Sequence, residues 1–103
     1  MNTEINHIVY AIESNSEEIH QGVAISDEFT SVSELIEEMK NRGYGRYDYE
    51  VIHSYELWLK DLHLGTGRGR TASEAKKELE IDVYASCHAT IEMIKKHPER
   101  YYY

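Results

Sequence analysis

In 103 residues the chain has one cysteine, one proline, one phenylalanine and one tryptophan. A single thiol, Cys87, excludes an internal disulfide and fits a reducing compartment. No run is long and apolar enough to span a bilayer. The polar, acidic N-terminus lacks the apolar core of a signal peptide. A cytoplasmic protein is expected. Bases are scarce, with 11 Lys and Arg against 19 Asp and Glu and a net charge of −8. The shortage lies in the first part, where residues 1–59 hold twelve acids and three bases. Residues 60–103 hold seven acids and eight bases. Such a chain repels nucleic acid at long range unless it presents a local basic face. The length admits one domain with one modest core.

What is abundant is tyrosine, nine in all. Tyrosine joins contact area to a polar tip, a combination favoured at interfaces. Residues 5–12 read as a β-branched strand, and residues 19–25 alternate loosely, so the two predict an N-terminal hairpin. Ser31 and Glu34 have capping-box spacing. Val32, Leu35, Ile36 and Met39 then follow at helical spacing, and Gly43 stands where a C-terminal glycine is expected, so a helix is predicted over 32–42. Residues 47–52 and 55–64 read as strands, or as one long strand, because His53-Ser54 is a weak turn signal. A second helix is predicted from Thr71 to about Lys96. One of its stripes is Ala75, Leu79, Val83, Cys87, Ile91 and Ile94, and Ile81, Tyr84, Ala85 and His88 make a neighbouring one. An apolar arc that wide predicts burial on two sides and fits a homodimer.

Between the last strand and that helix runs Gly65-Thr66-Gly67-Arg68-Gly69-Arg70-Thr71. Three of the six glycines stand here, at every second residue. Glycine permits a sharp turn with exposed N–H groups, and Thr71 with Glu74 repeats the capping-box spacing. Gly67, Arg68, Gly69, Arg70, Lys76 and Lys77 are therefore the candidate anion or nucleic-acid site, at the one local basic spot. The stretch is not a P-loop, since Gly-Lys-Ser/Thr is missing, and the chain has no room for a dinucleotide fold.

Residues 33–44, 47–51 and 55–59, together with the glycine stretch leading to Ala75-Lys76, resemble the double-stranded RNA-binding domain. The likeness covers about residues 31–95 and is most specific from the glycines into the helix. It implies a short helix, a twisted antiparallel sheet, a glycine loop and a second helix packed on the sheet. It also implies contact with phosphates across a groove. Where that family has Lys-Lys-x-Ala-Lys at the helix start, this chain reads Ala72-Ser73-Glu74-Ala75-Lys76. Only Lys76, with Lys77 beside it, keeps the charge.

Other chemistry finds little support. The histidines are scattered. His7 and His20 could face each other across the N-terminal hairpin, but no further ligand is specified and no metal or cofactor is expected. Cys87 and His88 are adjacent on a helix, about 100° apart, and make no nucleophile–base pair. The paired acids Glu17-Glu18, Asp27-Glu28 and Glu37-Glu38 are not set in surroundings that would raise a carboxyl pKa. Together they form an acidic surface suited to a basic protein partner. Trp58, on the opposite side of its strand from Leu57, and Tyr101 and Tyr102 in the tail are candidate contacts of that surface.

The sequence thus predicts a single α+β domain over 1–97, with an antiparallel sheet and two helices on one face. The expected order is β-β-α-β-β-α, the second helix being long. Residues 1–28 form a hairpin extension, 29–97 the α-β-β-α unit and 98–103 a tail. It predicts a non-enzymatic binding protein whose partner is a protein with a basic surface. Small acidic proteins of this kind resemble phage accessory and anti-defence proteins, some of which mimic nucleic acid. Binding of nucleic acid, or of a small anion or nucleotide, at Gly65–Lys77 is the alternative, and net charge disfavours nucleic acid.

Overall fold

The middle strand organises the sheet. In the computed structural model, which describes residues 2–14 and 22–102, β2 runs unbroken over Tyr49–Leu59. It lies between β1 (Thr3–Glu13) and β3 (Leu62–Gly69), antiparallel to both. His53-Ser54, a weak turn signal in the sequence, is paired on both sides: His53 with Val9 and Gly69, Ser54 with Ile8 and Arg68. A two-sided ladder satisfies the backbone there, and the chain has no reason to turn. It turns instead at Lys60-Asp61, where Lys60 takes φ 59° and Leu59 pairs with Leu62.

The expected arrangement, β-β-α-β-β-α with two helices on one face, is not the one formed. Among the described residues the order is β-α-β-β-α-α, with three α-helices and a three-stranded sheet. The N-terminal hairpin is the first difference. β1 spends its length on β2. Among the described residues the returning chain meets the outer edge of β1 through isolated bridges, Ile12 to Ala24 and Val9 to Phe29, and through Ser26 Oγ, which accepts from Ala11 N–H. Residues 19–21 of the second expected strand lie outside the described residues.

The helix α1 (Val32–Asn41) begins where its cap predicts, with the Glu34 N–H donating to Ser31 Oγ at 3.2 Å. Gly43 just beyond it has φ 84°. Leu35 and Met39 pack on Val9 and Ala11, forming one core cluster at one end of the sheet. A second cluster joins Tyr55, Leu57, Leu59 and Leu64 to Ala75, Leu79 and Val83 of α2 (Ala72–Cys87).

The glycine stretch is part of this second contact. Gly65, Gly67 and Gly69 belong to β3, not to a loop, and their backs lie on α2. A β-carbon at Gly65 would stand 2.7 Å from Val83 Cγ2, and one at Gly69 would stand 2.6 Å from Glu74 Cβ. At Gly67 it would collide with the backbone of Leu79 and Ala75. Two residues of strand advance about 6.6 Å and four residues of helix about 6.0 Å. Glycines at every second position therefore match Val83, Leu79 and Ala75 at every fourth.

The long second helix is also interrupted. α2 ends at Cys87, and His88 caps it in the left-handed conformation at φ 54°. Thr90 then caps α3 (Ile91–Lys96), accepting from Met93 N at 3.2 Å. On the glycine spacing Cys87 is level with His63, close to the end of the sheet. A continued helix would leave the core. Turning back buries Ala89 and Ile94 in the second cluster. The tail is docked as well. A 3-10 turn at Pro98–Arg100 leads to Tyr101 and Tyr102, which pack on that cluster. The Tyr102 hydroxyl donates to Asp61 Oδ1 at 2.6 Å.

Candidate binding surface

Strand alternation sorts the sheet's side chains. The odd-numbered residues of β1 and β2 supply both core clusters. The even-numbered ones face the other way, outside both clusters, although Ile12, Ile52 and Ser54 among them are buried. Pairing sets them in rows: Glu4, Trp58 and His63; Asn6, Glu56 and Thr66; Ile8, Ser54 and Arg68. Several are tied together. The Trp58 indole N–H donates to Glu56 Oε2 at 3.0 Å and holds that carboxylate in place. The His63 ring tilts against Trp58, centroids 5.1 Å apart, and its Nε2 lies 2.7 Å from Thr66 Oγ1.

Beside these rows the returning segment stands off the sheet and leaves a cleft. Ile8, Tyr10, Ser54, Glu56 and Arg68 form its floor, and Ala24, Ser26, Asp27 and Glu28 its wall. Burial raises the Tyr10 pKa, opposed by Arg68 and reinforced by Glu28. The phenol is therefore kept protonated as a hydrogen-bond donor. Three carboxylates, Asp27, Glu28 and Glu56, line this cleft together with one guanidinium, that of Arg68. Such a cleft suits a cationic or hydrogen-bonding side chain better than an anion.

A comparison with known proteins finds no matching family model, curated protein or solved structure.

The candidate anion site is dispersed. Gly67 and Gly69 offer no cradle, because their α-carbons are against α2. Arg68 opens into the acidic cleft. Arg70 lies 3.2 Å from Glu50, a charge contact without the alignment of a hydrogen bond, so Glu50 Oε2 is buried with no hydrogen-bond partner. Lys76 sits 5.5 Å from the centre of the Tyr55 ring. Lys77 shares a groove with Arg68 and with Glu74, Glu78 and Asp82, acids outnumbering bases. The four cations do not converge on one face.

The candidate partner residues also divide. Asp27 and Glu28 line the cleft, and Trp58 stands two residues along β2 from Glu56. Glu37 and Glu38 are on α1, where Arg42 holds Glu38 at 2.9 Å. Tyr101 and Tyr102 belong to the second cluster rather than to this surface. Glu17, Glu18 and His20 lie outside the described residues. His7 meets His53 instead, Nε2 to Nδ1 at 3.0 Å. Sequence reading missed Tyr10, Ser54 and Arg68 as neighbours. The parity of Glu56 with Trp58 was visible, but the register that brings β1 and β3 alongside was not. Among the described residues no group of three or more His, Cys, Asp or Glu is placed to hold a metal ion. No described helix is long and apolar enough to cross a membrane.

Proposed function

We propose that this chain is a binding protein without chemistry of its own, which docks a basic segment of a protein partner on the side of its sheet opposite the two core clusters. The observation that carries this reading is the Glu56 carboxylate. It is fixed by the Trp58 indole at 3.0 Å and shares a cleft with Asp27, Glu28 and Tyr10. A pre-oriented carboxylate beside a half-buried aromatic suits a lysine or arginine side chain, which stacks its stem and pairs its head. Aromatic anchors carry most of the energy in such interfaces. The net charge of −8 speeds encounter with a basic partner at low salt and repels nucleic acid. An inhibitor that covers a basic groove on another protein, as a nucleic-acid mimic does, is the role that fits these properties best.

The test is a pull-down from the native host with mass spectrometry, with and without nuclease. Wild type is compared with Trp58→Ala and with Glu56→Lys, after thermal melts show both variants folded. Proteins that survive nuclease and are lost with both variants support the reading. Material removed by nuclease, or proteins retained equally by both variants, overturns it.

A further inference from the structure

The two edges of the sheet are not treated alike. On β3, the outward N–H of Thr66 is capped by Asp82 Oδ2 at 2.8 Å. On β1, the outward groups belong to odd-numbered residues, as the returning segment demonstrates. Val9 N–H donates to Phe29 O at 2.7 Å, Phe29 N–H donates to Val9 O at 2.8 Å, and Ile25 N–H donates to Ala11 O at 2.9 Å. Both main-chain groups of one residue in an antiparallel strand point the same way, and the direction repeats every second residue. The N–H and C=O of Thr3, Ile5 and His7 therefore point out of the same edge. Among the described residues they take no partner there.

This open stretch also lacks the usual protection. It has no proline, no lysine and no bulge. Its central side chain, Ile5, is 40% exposed. Beside Ile5 runs a groove lined by Lys76 and Glu80 of α2 and by Glu92 and Lys95 of α3. Bases equal acids there, on a chain otherwise strongly acidic.

We propose that a second copy of this chain adds to this edge, antiparallel, about a two-fold axis at Ile5. The register follows from what is already occupied. Phe29 takes Val9, so a new ladder stops at His7. The open segment Thr3–His7 is then centred on Ile5. Ile5 pairs with Ile5 of the second copy, Thr3 with His7 and Glu4 with Asn6. No like charges stand opposite one another. The three outward pairs exchange about six hydrogen bonds. The two-fold sets both copies' grooves on the same face of the joined sheet, each with two bases and two acids. The result is one continuous six-stranded sheet with an isologous contact. The net charge of both copies opposes the contact, so salt strengthens it.

The test is sedimentation of the full chain at increasing concentration, with wild type compared to Ile5→Pro and Ile5→Lys. Proline at position 5 removes an outward donor and leaves the ladder to β2 intact. Wild type is expected to reach the dimer mass, and both variants to stay monomeric under the same conditions. Ile5→Lys keeps the test open if the proline variant does not fold. Amide exchange at Thr3, Ile5 and His7 is expected to slow at least about tenfold from dilute to concentrated wild type. A wild type monomeric up to about 1 mM overturns the proposal. So does a dimer kept by Ile5→Lys but lost on Ile81→Glu with Tyr84→Glu, which would move the contact to the exposed side of α2.

Discussion

Gly67 and Leu79 touch backbone to backbone, with no space between them for a β-carbon. The contact sets how closely α2 lies on β3 and with it the packing of the second cluster. Gly67→Ala puts a methyl group against the Leu79 nitrogen and the Ala75 carbonyl, neither of which moves without the helix. The expected cost is about 3 kcal/mol or more, at the upper end for overpacking. At Gly65 the first atom met is a Val83 methyl at 2.7 Å, and the nearest backbone atom is farther off, at 3.3 Å. Gly65→Ala is therefore expected to cost less than Gly67→Ala. Urea unfolding of both variants checks the order, and equal midpoints would refute it.

The same stretch shows how much of the fold can be read from the chain. The starts of α1 and α2 were legible, because Ser31 and Thr71 are local caps and need no partner. The continuity of β2 was legible only as one of two readings, because what holds His53 and Ser54 extended is pairing to β1 and β3 from distant parts of the chain. Three alternating glycines read locally as a flexible loop. They form a strand because α2 demands closeness, a tertiary reason that overrides propensity. The break at His88 was hidden for a related cause, since only the end of the sheet tells the helix to stop. As for the candidate surface, Trp58 and Asp27-Glu28 were legible singly. Their association through Glu56 and the cleft needed the register.

His7 and His53 give the fold a dependence on pH. Their rings are nearly coplanar, with nitrogens 3.0 Å apart, so one N–H donates to the other ring. His7 also stacks on Tyr55, centroids 4.2 Å apart, and faces Lys76. Burial lowers the His7 pKa, with His53 and Lys76 adding to it, and burial lowers that of His53. A folded pKa below the unfolded value of about 6.5 means that the unfolded chain binds more protons as the solution is acidified. Stability is then full above about pH 6.5 and lost as pH falls through the folded values. Melting temperature is expected to fall between about pH 7 and pH 5, before most carboxylates titrate. The double variant His7→Gln, His53→Gln is expected to flatten that fall. An unchanged slope would rule out the pair as its source.

The junction of α2 and α3 allows a test by sign. His88 sits at φ 54°, a conformation glycine adopts without strain. His88→Gly is expected to leave stability unchanged or raise it by up to about 1 kcal/mol. In a helix continuous from Thr71 to Lys96 the same change would cost about 1 kcal/mol. Thr90→Ala, which removes the oxygen that Met93 N–H donates to, is expected to cost about 1 kcal/mol. Thermal or urea unfolding of the two variants reads both signs.

Cys87 reports on the docked tail. Its thiol is half-buried and shares a cleft with Leu64, Asp82, His88 and Tyr101. Burial, and then the Asp82 charge, raises its pKa, so little thiolate is present at neutral pH. Since the thiolate is the reactive form, attack on an aromatic disulfide reagent is expected to be at least about tenfold slower in the native protein than in urea. Tyr101→Ala removes one wall of the cleft, and the native rate is expected to rise severalfold while the fold persists by circular dichroism. Asp82→Asn lowers the thiol pKa without opening the cleft, so it shifts the pH at which the rate climbs. It also weakens the cap on Thr66. A rate untouched by Tyr101→Ala would mean that the terminal tyrosines do not cover this end of α2 in solution, and would leave Leu64 and Cys87 open to water.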